Sequence, residues 1–301
     1  MASLRWACAG TLVYAAGRQI LAELTRLKGR ELELDLPLLF VGAVLYAAAL
    51  ACFASYWRLV AMCMGGRPGR WEAQRAYFVS QLGKYVPGKA WVILIRCALV
   101  DSQITKAPVV IASTFYETLV MMAAGSMMAL VALLSAGSAR LGVMTLSGGL
   151  VTGLSLAALP PVFRRLTAWT ARSFQKTDAT PLTVVTYTTW LQGFQYSLLG
   201  WIAVGLSLFA ISSSLSIPLA GMKGLLLACG GIALAIVSGF AVLIVPAGLG
   251  VREWVLLQTL GTSIGPSNSV LLAVVARIAH VSVELFVAGI LYLATKRGKP
   301  K

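Results

Sequence analysis

Gly83-Lys84-Tyr85-Val86-Pro87-Gly88-Lys89 and Val245-Pro246-Ala247-Gly248-Leu249-Gly250-Val251-Arg252-Glu253 each interrupt a long apolar stretch, one in either half of the chain. Lipid offers a backbone no hydrogen bonds. Unwound chain at membrane depth therefore survives only inside protein or beside a water-filled cavity, where its free N–H and C=O groups stay open to a ligand. A Pro-Gly elbow flanked by fixed charges in both halves points to a translocation site.

Around the elbows the chain is apolar from end to end. Its 301 residues are 58% hydrophobic and 12% charged, with a mean hydropathy of +0.83. This is the composition of an all-α polytopic membrane protein. With the apolar blocks assigned to the bilayer, no stretch of even 50 polar residues remains to form a soluble catalytic domain, so 1–301 reads as a single integral membrane domain.

The blocks predict spans near 4–22, 36–57, 107–135, 141–163, 182–210 and 269–293, with broken, re-entrant segments at 76–100 and 224–263. The first limb of the second broken segment, 224–245, is long enough either to dip or to cross. Arg5 before the apolar run Trp6 to Ala16 has the layout of a signal peptide or of a short first helix; the helix is the reading adopted. With the N-terminus in the cytoplasm, the basic clusters at 58–96, 164–176 and 296–301 all fall on the cytoplasmic side, as the positive-inside rule requires. The two hairpins then enter from opposite faces. Pro87 precedes Pro108 by 21 residues and Pro246 precedes Pro266 by 20, which suggests an inverted repeat.

The charge pattern excludes several function classes. The net charge of +15 is carried by residues bordering apolar spans, which suits anionic lipid headgroups and no nucleic-acid module. One histidine and three aspartates leave little for a metal centre or a hydrolytic triad, so no metal and no catalytic residues are expected. Cysteines 8, 52, 63, 97 and 229 are scattered and read as small core residues. No nucleotide site or other cofactor motif is visible.

Charges inside spans mark the candidate site, because an ionisable group at a helix centre costs roughly 2.5–3.5 kcal/mol on insertion scales. Glu117 is the only charge in 107–135, and Ser113 and Thr114 one turn away give it a polar face. Arg277, His280 and Glu284 are spaced three and four apart, on one face of the last helix. Equivalent depth after Pro108 and Pro266 suggests an Arg277–Glu117 pair, and His280 beside Arg277 and Glu284 is a candidate proton carrier. Lys84, Tyr85, Lys89, Arg96 and Arg252 sit at or near the elbows. Basic side chains, free N–H groups and helix dipoles at half-helix starts together suit a phosphate. Glu253 is placed to restrain Arg252 or to cap its helix. Trp71, Tyr77, Tyr85 and Trp91 read as interface anchors or as walls of a headgroup pocket. Pro87, Gly88, Pro246, Gly248 and Gly250 provide the unwound backbone.

Gly83 through Trp91 with Arg96, then Pro246 through Glu253, then Arg277 in the last helix, together resemble the lysylphosphatidylglycerol synthase transmembrane family over roughly 36–295. The resemblance implies a flippase-type domain, like the membrane half of the bacterial multiple peptide resistance factors. It does not extend to their aminoacyltransferase domain, so lipid synthesis is not carried over. Lys89-Ala90-Trp91 stands where many relatives have Gly-Glu after the proline, which favours a purely anionic headgroup over an aminoacylated one.

The expectation is a transporter in the bacterial cytoplasmic membrane, both termini cytoplasmic, that moves a phosphate-bearing phospholipid or polyprenyl-phosphate-type lipid between leaflets. Lys84, Tyr85, Lys89, Arg96 and Arg252 would bind the phosphate; Glu117, Glu253, Arg277, His280 and Glu284 would gate or couple. The alternatives are a membrane-embedded enzyme on a lipid-linked substrate and a non-catalytic accessory of a lipid or glycan synthase.

Overall fold

The computed structural model describes residues 34–86, 90–137, 141–165, 185–241, 248 and 250–296. The expected span at 4–22 lies outside them, as do elbow residues Pro87, Gly88, Lys89 and Pro246. The described residues form helices and turns, with no strand among them.

Helix α1 (Leu36–Cys63) begins where Asp35 accepts the Leu38 N–H at 3.1 Å and Pro37 occupies the first turn. The chain continues through α2 (Arg70–Gln81), a 3₁₀ turn (Leu82–Tyr85), α3 (Ala90–Leu99), α4 (Ala107–Ser135) and α5 (Leu141–Ala158). The second half holds α6 (Tyr187–Ser214), α7 (Gly221–Ala241), α8 (Val251–Ile264) and α9 (Pro266–Lys296). By length and composition α1, α4, α6, α7 and α9 suffice to cross a bilayer. The span expected over 141–163 is interrupted instead. Its helix ends at Ala158, and Leu159 breaks it ahead of Pro160 and Pro161, because a residue before proline is disfavoured in helical conformation.

The centre of the molecule is an antiparallel seam between α1 and α6. Asp35 N–H donates to the Ser214 carbonyl at 2.9 Å at one end, and Cys63 Sγ meets Thr189 Oγ1 at 3.3 Å at the other. Lipid supplies no hydrophobic drive between helices, so close approach of small residues carries the packing. A Cβ on Gly193 would lie 2.2 Å from Tyr56 Cζ, and one on Gly200 would lie 2.4 Å from Phe53 Cε1. Both rings occupy space that only glycine leaves open.

Around this seam the two halves have matching neighbours. Helix α1 packs on α2, α4 and α9, and α6 packs on α7, α9 and α4. Helix α2 pairs with α3 and touches α9; α7 pairs with α8 and touches α4. Exchanging α1, α2, α3 and α4 for α6, α7, α8 and α9 leaves this pattern unchanged. Together with the antiparallel seam, it is the inverted repeat that the proline spacing suggested. Helix α5, packed on α4, lies outside it.

Each half contains one hairpin. At the base of the first, Glu72 accepts the Asp101 N–H at 2.7 Å and Arg75 donates to the Leu99 carbonyl at 2.8 Å, so α2 and α3 run back to back with their tip at the elbow. Twelve helical residues put that tip about 18 Å from its base, short of the roughly 30 Å that a full crossing of the hydrocarbon core requires. In the second hairpin α8 retraces α7: Arg252 packs on Gly239, and Thr259 on Gly231. Although α7 has 21 residues, the chain therefore returns to the side it left, and α9 then runs to the opposite face along α2.

Candidate functional site

Close packing of backbone builds both elbows. A Cβ on Gly83 would sit 2.7 Å from the Val92 amide nitrogen, so the 3₁₀ turn presses directly on the start of α3. Gly248 has a φ of +68°, open to glycine and costly for other residues, and its Cβ would lie 2.8 Å from the Gly239 Cα. These contacts aim Lys84 and Tyr85 from one tip, and Arg252 from the other, into a common space.

That space is a cavity bounded by Tyr46 of α1, Lys84 and Tyr85 of the first elbow, Arg252 of α8, and Arg277, His280, Val281 and Glu284 of α9. Tyr46 lies ten residues into the 28-residue helix α1, about 15 Å along its axis, so the cavity lies within the length of that span and away from both its ends. About 20 Å³ is open to the centre of a water molecule, on the order of one bound water. The cavity is smaller than a phosphate, which does not fit without movement, although the Lys84 side chain at its edge is partly exposed.

Glu284 is fully buried and gathers three donors from two elements. Tyr46 Oη donates to Oε1, Lys84 Nζ reaches the same oxygen at 2.6 Å, and Tyr85 Oη donates to Oε2 at 2.8 Å. Lys84 comes from the first half of the chain and Glu284 from the second, so this ion pair closes the cavity across the repeat. One turn earlier on α9, His280 stacks on the Tyr46 ring with centroids 3.8 Å apart and planes 9° from parallel. Its Nε2 lies 3.1 Å from Ser207 Oγ, whose hydroxyl donates to the Gly42 carbonyl at 2.7 Å. With that hydrogen committed, Ser207 accepts, and His280 carries its proton on Nε2.

The other face of the cavity belongs to the second elbow. Arg277 Nη2 pairs with Glu253 Oε1 at 2.8 Å and lies 3.5 Å from the Gly248 carbonyl, holding unwound backbone to the long helix. Glu253 thus restrains Arg277, where capping or restraint of Arg252 was expected. Arg252 has no acidic partner among the described residues, and its Nε is buried without a hydrogen-bond partner.

Two expected site residues are elsewhere. Arg96 is 1% exposed and does not line the cavity; it pairs with Glu117 at 3.5 Å, donates to Ser80 at 3.1 Å and Thr114 at 3.3 Å, and lies over the rings of Trp57 and Tyr77. Tyr77 Oη also donates to Glu117, at 3.1 Å. Glu117 is therefore saturated by its own half, and the expected Arg277–Glu117 pair does not form. In its place each half has a buried pair between the short limb and the long helix that follows: Arg96 with Glu117, Glu253 with Arg277. The sign is reversed between them. Of the four aromatics near the first elbow, Trp71 and Trp91 are exposed as anchors would be, while Tyr77 and Tyr85 are buried in polar contacts.

Sequence reasoning missed Tyr46 and Ser207. A tyrosine near the middle of an apolar span, far from either interface, was the available signal for Tyr46, because its hydroxyl there needs a partner. Ser207 gave none: it is one of several serines on α6, and Ser212, Ser213 and Ser214 bond carbonyls of their own helix, whereas Ser207 reaches across to α1.

The family described as the lysylphosphatidylglycerol synthase TM region matches residues 6–288. Comparison with curated proteins gives no match.

Proposed function

The chain belongs to the lysylphosphatidylglycerol synthase transmembrane family, a membrane domain associated with lipids, and from that premise we propose that it is a flippase-type transporter of phosphate-bearing lipids. One observation carries the reading: a cationic cavity, within the length of a candidate span, where residues of both elbows meet. Lys84, Arg252 and Arg277 bring three positive charges to it, which low-dielectric surroundings make strong attractors of an anion. The headgroup phosphate enters between the elbows while the acyl or prenyl chains stay in the bilayer. Opening toward one face and then the other follows from an inverted repeat in which either half can take the other's conformation.

Within this reading Lys84, Tyr85 and Arg252 bind the phosphate, Glu284 and the Arg277–Glu253 pair gate it, and Arg96 with Glu117 fixes the first hairpin. Lys89, outside the described residues, keeps its proposed role as a phosphate ligand. The protein acts in a bacterial cytoplasmic membrane with both termini cytoplasmic, and performs no covalent chemistry on the lipid. The test is reconstitution of purified protein into liposomes carrying a fluorescent phospholipid, with an impermeant quencher added outside. Wild type exposes the inner-leaflet probe and Arg252→Ala does not. Equal rates for wild type, Arg252→Ala and protein-free liposomes would refute the proposal.

A further inference from the structure

We infer that Glu284 is a tethered anionic plug: its carboxylate occupies the subsite in which Lys84, Tyr46 and Tyr85 hold a phosphate oxygen, and the lipid enters by displacing it. The inference rests on the transport reading above and assigns one residue the task of keeping the cavity shut.

Three observations lead to it. The first is the donor set. An ammonium and two phenol hydroxyls converge on one carboxylate, and a phosphodiester, with two non-bridging oxygens sharing one negative charge, accepts the same three donors. The second is the charge count. Lys84, Arg252 and Arg277 against Glu253 and Glu284 leave one positive charge in excess, on Arg252, whereas removal of Glu284 from the sum leaves two. The third is space. The cavity has room for about one water, and Lys84 is 22% exposed while Glu284 is 1% exposed, so a phosphate can approach the ammonium but cannot take the carboxylate's place until the Lys84–Glu284 contact opens.

The groups facing Glu284 come from every side. Tyr46 approaches from α1, Lys84 and Tyr85 from the first elbow, Arg252 from α8, and Arg277 and His280 lie along its own helix. No second acid stands among these six, so Glu284 is the carboxylate that a phosphate meets at Lys84. Repulsion between like charges in a narrow, largely desolvated cavity then sets a threshold for entry. The threshold excludes neutral lipids, which gain nothing by opening the pair, and admits anionic ones, which replace what they break.

The experiment measures binding of dihexanoyl phosphatidylglycerol, a water-soluble phosphodiester lipid, to the purified full chain in detergent by calorimetry. Glu284→Gln retains the side chain's shape and one acceptor oxygen and removes its charge; it binds the lipid roughly tenfold or more tightly than wild type. Glu284→Asp keeps the charge and draws it back from Lys84, giving a smaller gain. Lys84→Gln placed on Glu284→Gln cancels the gain, because the freed cation is what the phosphate uses. If Glu284→Gln binds no better than wild type while Arg252→Ala binds less, the plug is refuted and the transport reading stands. If neither wild type nor any variant binds, both fall.

Discussion

Lys84 and Glu284 are 200 residues apart in the chain and 2.6 Å apart in the fold, one from each half of the repeat. The pair links the tip of a hairpin that opens to one face with the long helix that crosses to that same face. Any movement that widens the cavity toward Lys84 must stretch it, so the two halves cannot separate there without exposing a buried carboxylate.

Arg252 is expected to matter for transport and little for stability. It forms no ion pair among the described residues, so Arg252→Gln leaves no charge orphaned and should keep the wild-type melting temperature in detergent while lipid movement in liposomes is lost.

Arg96 and Glu117 behave in the opposite way. Both are almost wholly buried, so removal of one partner strands the other, at a cost of about 3–5 kcal/mol. Arg96→Met or Glu117→Gln should lower the denaturation midpoint strongly. The double substitution should recover part of the loss, as a thermal melt of each variant would show.

Gly200 tests the central seam. Its Cβ would press on the Phe53 ring, and overpacking of this kind costs about 1–3 kcal/mol. Gly200→Ala should lower the melting temperature, and Phe53→Leu on that background should restore some of it.

Gly248 tests the second elbow. Alanine there meets both a left-handed φ of +68° and the Gly239 backbone, so Gly248→Ala displaces the carbonyl that Arg277 holds. Slowed lipid movement with a modest loss of stability is expected, read from the same liposome assay and melt.

How much of this was legible depended on whether a feature is local. The elbows were, because Pro and Gly impose backbone geometry wherever they fall. Spans were too: 107–135 matched α4 to the residue, since apolar length is set by bilayer thickness. Opposed hairpins followed from counting crossings against basic clusters. Partnership was not legible. Glu117 and Arg277 sit at comparable distances past their prolines, yet each found its counterpart on the preceding short limb, because antiparallel packing brings residues at matched distances from the turn together: Glu253 and Arg277 lie 12 residues either side of Gly265. Lys84 and Glu284 meet through the seam between halves, which no spacing within either half reveals. Tyr46 was missed because an aromatic in an apolar run looks like lipid-facing bulk until a buried acid is found opposite it.

Helix α5, unmatched in the repeat, bears on parity. α1 and α4 together bring the first half back to the face on which α1 began, and a copy joined directly there would have the same orientation. The antiparallel seam between α1 and α6 therefore requires that the chain between Ser135 and Tyr187, which includes α5, change faces once. Without that change of face both hairpins would enter from one compartment, and the duplication would be parallel instead of inverted.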